Sequence, residues 1–332
     1  MLAATAQRRD RLRSLLTGRI AERWSLFGAW ALVIALFGIL RPSTFLSSAN
    51  FDSILGTNAM LVVLALGLLV PLTAGDYDLS IAGNLTITSM IVAVLNVEHD
   101  VAIGVAIAAA LGAGVLIGVV NGALIAGLSL DAFIVTLGTS ALLQGLTFWI
   151  SSSQTIGGIS QGLVDAVVGD GPFGVPLAFY YALALCVVFW YAFEHLPLGR
   201  RLLFVGRGRS VARLSGLDVA RLRFSAFVVS GAVSAIAGVM YAGTTGAADP
   251  TSGTSFLLPA FAAAFLGATS ITPGRFNPWG TFIAVYFLVT GITGLQLLGV
   301  ESFVQQLFYG GALILAVALS HLTRDRRARD AT

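Results

Sequence analysis

The chain has 332 residues, 57% of them hydrophobic and only 11% charged, with a formal net charge of +3 and a mean hydropathy of +0.89. A soluble domain carries about 25% charged residues, so the composition excludes a soluble globular enzyme and describes an all-α, polytopic membrane protein. All 19 basic residues are arginine, which excludes a phosphate loop of the G-x-x-x-x-G-K-[ST] kind.

The arginines are clustered. Six lie between Arg8 and Arg23, seven between Arg200 and Arg223, and four between Arg324 and Arg329; Arg41 and Arg275 stand apart. Such clusters flanking apolar runs mark cytoplasmic segments. They are not interleaved with stacking aromatics as a nucleic-acid surface requires, and no nucleic-acid partner is expected. Residues 1–23 read as a cytoplasmic arginine-rich tail. No short apolar core with a small-residue cleavage site follows it, so no removed signal peptide is expected.

A bilayer core about 30 Å thick asks for roughly 20 apolar residues per helix. Ten runs qualify in chain order: about 24–40, 54–74, 79–97, 101–127, 132–151, 175–194, 223–243, 256–272, 279–299 and 302–321. The fifth and eighth are the weakest and are candidates for broken or re-entrant helices, which exist only where protein or water covers the backbone. Residues 24–321 then form one transmembrane domain, and 322–332 a second cytoplasmic tail. With both termini inside, segment 199–223 and Arg275 also fall inside. Asp52, Glu98, Asp100, Asp165, Asp170, Asp249 and Glu301 fall outside, where Arg41 is the lone arginine.

Trp24, Trp149, Trp190, Tyr191 and Trp279 lie near run ends, as interfacial aromatics do. In the fourth run Gly114, Gly118 and Gly122 recur every four residues. That spacing lets helix backbones approach closely, either within one subunit, the favoured reading, or at a subunit or pathway interface.

Chemistry-bearing clusters are absent. His99, His195 and His321 sit at three separate run ends, Cys186 is the single cysteine inside an apolar run, and no H-E-x-x-H or G-x-S-x-G occurs; no metal site is expected. Ionisable residues inside the runs, which ion coupling requires, are nearly missing. Hydroxyls and amides remain: Ser80, Asn84, Thr86, Thr88, Asn121, Thr136, Thr139 and Gln144. As a set they suit a pathway for a neutral polyhydroxy solute; singly, each also serves as a hydrogen bond between helices.

Five motifs then occur in order. Ala74-Gly75-Asp76-Tyr77-Asp78-Leu79-Ser80-Ile81-Ala82-Gly83 resembles the G-G-I-D-L-S-V-G signature of ribose-type importer permeases. Asn121-Gly122 followed by Leu124-Ile125 resembles N-G-L-L-I, and Phe133 to Thr139 matches F-I-V-T-L-G-T. Ala212-Arg213-Leu214-Ser215-Gly216-Leu217 matches A-R-L-S-G-I, and Gly294 to Val300 resembles G-L-N-L-L-G-V. The chain is thus similar to monosaccharide permeases of ATP-binding-cassette importers over roughly residues 40–320.

The resemblance implies several partners. They are a second permease subunit, identical or paralogous, a separate ATPase with two nucleotide-binding domains that binds ATP and magnesium, and a periplasmic or lipid-anchored sugar-binding protein. No cofactor is implied in this chain itself, which would sit among lipids of the bacterial plasma membrane and catalyse no reaction of its own. Carried over residue by residue, the substrate pathway falls on Asp78, Ser80, Asn84, Asn121, Thr136, Thr139 and Gln144. ATPase coupling falls on Gly206, Arg207, Arg209, Ser210, Arg213 and Gly216. Ser210 is expected to cap a short helix ending at Gly216, and Asp78 either caps the third run or meets substrate. The chain differs from the pattern in three places: Asp76 adds an acid before D-L-S, Gly206 to Val211 is basic where the family's segment is acidic, and the loop 268–280 is longer and richer in proline than the family's G-G-x-G turn. Permeases of the same superfamily for branched-chain amino acids or nucleosides, an ion-coupled transporter or channel, and an intramembrane enzyme remain alternatives.

Overall fold

A computed structural model describes residues 24–301 and 303–330. The segment 1–23, with its expected cytoplasmic tail, lies outside the described residues. The chain is helical nearly throughout: α1 (Trp24–Leu40), α2 (Ser48–Thr73), α3 (Ser80–Glu98), α4 (Ile103–Gly127), α5 (Ala132–Ile150), α6 (Gln161–Val168) and α7 (Leu177–Glu194). Then come α8 (Pro197–Arg207), α9 (Arg209–Leu214), α10 (Val219–Thr245), α11 (Thr254–Gly267), α12 (Pro278–Leu297) and α13 (Phe303–Asp330).

Each of the ten apolar runs falls on a helix. Seven helices (α2, α3, α4, α5, α7, α10 and α12) are long and apolar enough to span a membrane, while α1, α11 and the apolar part of α13 are shorter. Helix length therefore establishes a membrane bundle but not ten crossings. The fifth run is an unbroken helix of 19 residues whose first turn is capped by Asp131, which accepts the Ile134 N–H at 3.1 Å. The eighth differs. Its helix α11 has 14 residues, about 21 Å at 1.5 Å per residue, too short to cross alone.

The reason lies in the segment before it. After α10 the chain pairs Ala247–Ala248 with Ile156–Gly157 in a short antiparallel ladder, and the Thr155 hydroxyl donates to Asp249 at 2.8 Å. The chain then turns into the bundle until the Gly253 N–H donates to the Thr86 hydroxyl at 3.0 Å. Gly253 lies against the Ala82 carbonyl with no room for a Cβ. Thus α11 begins beside the first third of α3.

Layering follows from apolar coverage. In α2 every residue from Ala59 to Thr73 is buried; a helix apolar on all sides belongs at the centre of a bundle. It packs against α7, α10, α11 and α12. Around that core, α3 lies between α4, α5 and α10. The outer faces of α4, α5 and α7 expose Leu116, Val120, Leu137, Leu142, Trp149 and Val188. In a bilayer those faces meet lipid tails or another subunit.

The glycine repeat of α4 is used inside the subunit. A Cβ on Gly118 would meet the Phe227 carbonyl, and one on Gly122 would meet Phe224. Both α10 residues would have to shift. Reciprocally, Gly231 of α10 lies against Gly114 and Gly118. The pair is held by backbone proximity, as small-residue repeats in membrane helices allow.

Candidate functional site

The polar residues converge where the loop 74–79 joins α2 to α3, at the bundle end that carries α8 and α9. Gly75 opens the loop with φ +80°, in the left-handed region that favours glycine. Gly206, near the end of α8, presses against the Thr73 carbonyl so closely that a Cβ has no space. The arginine-rich segment and the loop are therefore in backbone contact.

Asp76 is the hub. Its side chain is 3% exposed. Arg223 of α10 grips it with two hydrogen bonds, Nε to Oδ2 at 2.7 Å and Nη2 to Oδ1 at 2.9 Å. Arg209, the first residue of α9, adds Nη2 to Oδ1 at 2.7 Å and Nη2 to the Gly75 carbonyl at 3.0 Å. A carboxylate buried this far is tolerated because the planar guanidinium of Arg223 matches both its oxygens.

Asp78 anchors a second network. Its Oδ1 accepts the Ser80 N–H at 3.0 Å and the Ser80 hydroxyl at 2.5 Å, and its Oδ2 accepts the Ser230 hydroxyl at 2.7 Å. Burial pushes the Asp78 carboxyl above its ordinary value, against the hydrogen bonds from Ser80 and Ser230. From Ser80 the chain of bonds continues outward. Asn121 Nδ2 donates to the Ser80 hydroxyl at 2.8 Å, and the Thr139 hydroxyl donates to Asn121 Oδ1 at 2.7 Å. Five side chains from α5, α4, α3, the loop and α10 are linked in one row whose donors converge on Asp78. Asp78 accepts the first N–H of α3 from one position before the N-cap residue, Leu79, which makes no side-chain cap of its own.

The remaining pathway candidates are placed as follows. Thr136 is buried; its hydroxyl accepts the Leu79 N–H at 3.1 Å and donates to the Ala132 carbonyl at 2.7 Å. Asn84 is buried where three helices meet and donates to the Gly231 carbonyl at 3.1 Å and the Gly114 carbonyl at 3.4 Å. Its Oδ1 has no partner. Thr86 and Thr88 bond back to carbonyls of their own helix, Ala82 and Asn84. Gln144 stands apart from this group and donates to the Pro250 carbonyl in the segment leading to α11. Asp78, Ser80, Asn84, Asn121 and Thr136 are enclosed, whereas Thr139 and Gln144 are half-buried on α5.

All six coupling candidates, Gly206, Arg207, Arg209, Ser210, Arg213 and Gly216, are exposed. Gly216 closes α9 with φ +82°, as expected. Ser210 does not cap it. The residue before the helix is Gly208, in an extended conformation, and Ser210 is the second helical residue. Two residues went unrecognised in the sequence: Val211, and Leu214 with 89% of its surface exposed. Apolar residues inside an arginine-rich loop were the available signal. Among the described residues no group of three or more His, Cys, Asp or Glu is arranged to hold a metal.

Two cavities flank the loop. One, of about 400 Å³, is polar and includes Asp76, Tyr77, Asp131, Phe133, Arg209 and Arg223 in its wall. The other, of about 300 Å³, is an apolar groove that includes Tyr77, Phe133, Phe261, Phe265 and Leu313. Tyr77 and Phe133 belong to both.

Among the described residues the chain is a helical membrane bundle with a buried polar row at the loop 74–79 and an exposed arginine-rich segment beside it. Comparison gives the family. The profile described as "Branched-chain amino acid transport system / permease component" matches residues 50–317, and the chain belongs to that family. Its sequence is 30% identical to the D-allose transport system permease protein AlsC of Escherichia coli strain K12, over 91% of this chain and 92% of the relative. It is 36% identical to the ribose import permease protein RbsC of Bacillus subtilis strain 168, over 88% and 90%. It is 30% identical to the L-arabinose ABC transporter permease protein AraH of Azospirillum brasilense, over 92% and 91%. No solved structure matches the chain.

Proposed function

We propose that this chain is the membrane permease subunit of an ATP-binding-cassette importer, carrying a monosaccharide or related polyol across the bacterial plasma membrane. The observation that carries the reading is the similarity, spanning about nine-tenths of both chains, to permeases named for allose, ribose and arabinose. ATP and magnesium are bound by a separate ATPase with two nucleotide-binding domains, which docks on α8 and α9. A second permease subunit and an external sugar-binding protein complete the importer. Both termini lie on the cytoplasmic side; the clustering of arginines at segment 199–223 and at the C-terminus supports this.

The substrate pathway runs along the open face of α5, past Thr139 and Gln144, and across the start of α11, where Thr254 and Ser255 are exposed. Interrupted helices mark solute sites in membrane transporters because their ends offer unpaired backbone groups. Asp78, Ser80, Asn84, Asn121 and Thr136 form the wall behind that face. The coupling residues are Gly206, Arg207, Arg209, Ser210, Arg213 and Gly216, joined by Val211 and Leu214. Gly206 and Arg209 bring the segment against the loop, and Arg207, Ser210, Val211, Arg213, Leu214 and Gly216 meet the ATPase.

The family's printed description favours a second reading, a branched-chain amino acid as substrate. Uptake of labelled D-ribose, D-allose, L-arabinose, a polyol and leucine, measured with and without the ATPase, tests both. Uptake of one sugar or polyol that needs both proteins is the expected result. Leucine uptake selects the second reading, and uptake by this chain alone removes the importer reading.

A further inference from the structure

Asp76 is held by two arginines of unlike standing. Arg223 comes from α10, is 10% exposed and binds both carboxylate oxygens. Arg209 comes from the six-residue α9, is 44% exposed, and binds only Oδ1 and the Gly75 carbonyl. Losing Arg223 would leave a buried carboxylate without a matched partner. Losing Arg209 would not, because both oxygens keep Arg223. The outer pair can therefore open and close at small electrostatic cost, being partly screened by water.

What Asp76 is joined to gives that exchange a consequence. The next residue, Tyr77, is 47% exposed between the buried Asp76 and Asp78. Its ring stacks on Phe261 with centroids 6.4 Å apart. Its carbonyl lies 3.2 Å from the Thr136 hydroxyl oxygen, and its side chain lies on the boundary between the polar cavity and the apolar groove. Across α9 from Arg209, Val211 and Leu214 are exposed to a partner. A displacement of α9 thus acts on Gly75 and Asp76, and through them on Tyr77.

We propose that the Arg209–Asp76 pair is the joint through which α9 positions Tyr77, and that Tyr77 is the movable partition between the polar cavity and the groove. Arg209 and Asp76 are positioning residues. The inference rests on the reading of α8 and α9 as the ATPase docking segment, and it is independent of which solute is carried.

The test uses the assembled complex with its ATPase in lipid nanodiscs. Cys186, the one cysteine, is replaced by Cys186→Ala and a single reporter is introduced as Tyr77→Cys. The rate of labelling by a polar maleimide is measured without nucleotide and with ATP plus vanadate. The expected change is about fivefold or more, the lower end of two-site coupling. In Arg209→Gln with the ATPase still bound, and in Asp76→Asn, the change disappears; Arg209→Lys restores part of it. A merely structural role would lower thermal stability without abolishing the nucleotide response.

A nucleotide response that persists in Arg209→Gln overturns the proposal, as does its absence when Arg209 is present. Release of the ATPase by Arg209→Gln also overturns it, by making Arg209 a docking contact. A complex that shows the response but imports none of the sugars tested leaves the joint standing and removes the substrate assignment. A wild-type chain that binds no ATPase removes both.

Discussion

Arg223 and Asp76, 147 residues apart in the chain, meet through two hydrogen bonds of 2.7 and 2.9 Å and tie the start of α10 to the loop between α2 and α3. Two of the places where the sequence departs from the pattern it resembles, the added Asp76 and the basic segment holding Arg209, prove to be in contact as well. A charge gained in one is answered by a charge gained in the other.

Removing one side of that buried pair is expected to be costly. Asp76→Ala leaves Arg223 enclosed without its anion, which costs about 3–5 kcal/mol. Thermal unfolding in detergent should show Asp76→Ala far less stable than Arg209→Gln, whose lost contact is partly solvated. Equal stabilities would show that Arg223 finds water or another acceptor.

The contact between α4 and α10 gives a contrast within one helix. Gly118→Ala pushes a methyl group into the Phe227 carbonyl and the Val228 backbone and is expected to cost about 1–3 kcal/mol. Gly112→Ala enters open space and should stay within about 0.5 kcal/mol of the parent. The same melting experiment on both variants checks this, and similar losses would place Gly112 at an unrecognised interface.

Much of the bundle was legible because apolar run length is a strong local signal, and Gly114, Gly118 and Gly122 announced a close contact by spacing alone. The eighth run was already a candidate for a broken helix, but the start of α11 was not legible, since the Gly253–Thr86 contact that sets it joins residues 167 apart. Nor was the inward turn of Arg209. Arginine beside an apolar run reads as topology, and only the fold brings Asp76 within reach. The pathway candidates divide for a similar reason: composition shows which side chains are polar, but not which of them spend their hydrogen bonds on one another, as Thr139, Asn121, Ser80 and Asp78 do.

The acid response of the opposite bundle end follows from Asp249. Hydrogen bonds from the Thr251 side chain, then the Thr251 backbone and the Thr155 hydroxyl, outweigh burial and hold its carboxyl below the ordinary value. The folded-state value is the lower one. Its stabilisation is therefore complete above the unfolded value near pH 3.9 and is lost as pH falls through the folded value. Melting of the parent and of Asp249→Asn should differ by a constant amount from pH 8 to 5 and converge only below about pH 4. Convergence near neutral pH would contradict the contacts.

Leu214 and Arg213 test the docking face. Leu214→Ala is expected to weaken ATPase binding by about 30-fold if it fills a central pocket, the effect of losing about 2 kcal/mol at an interface hot spot. Arg213→Ala should weaken it less, as rim charges do. Co-purification and titration of the ATPase on the reconstituted chain measure both. Unchanged binding in both variants would move the docking face away from α9.

The position of α2 also bears on how the chain is made. This helix emerges early yet is surrounded by α7, α10, α11 and α12, all synthesised later. Its continuous apolar stretch, Ala59 to Leu72, lets it wait in lipid without partners. The next helix carries hydroxyls but hides them on its own carbonyls, Thr86 on Ala82 and Thr88 on Asn84. Asn84 alone among these needs a later arrival, the Gly231 carbonyl of α10. Insertion of α10 is then the step at which the nascent chain stops being a set of independent helices and commits to its final arrangement.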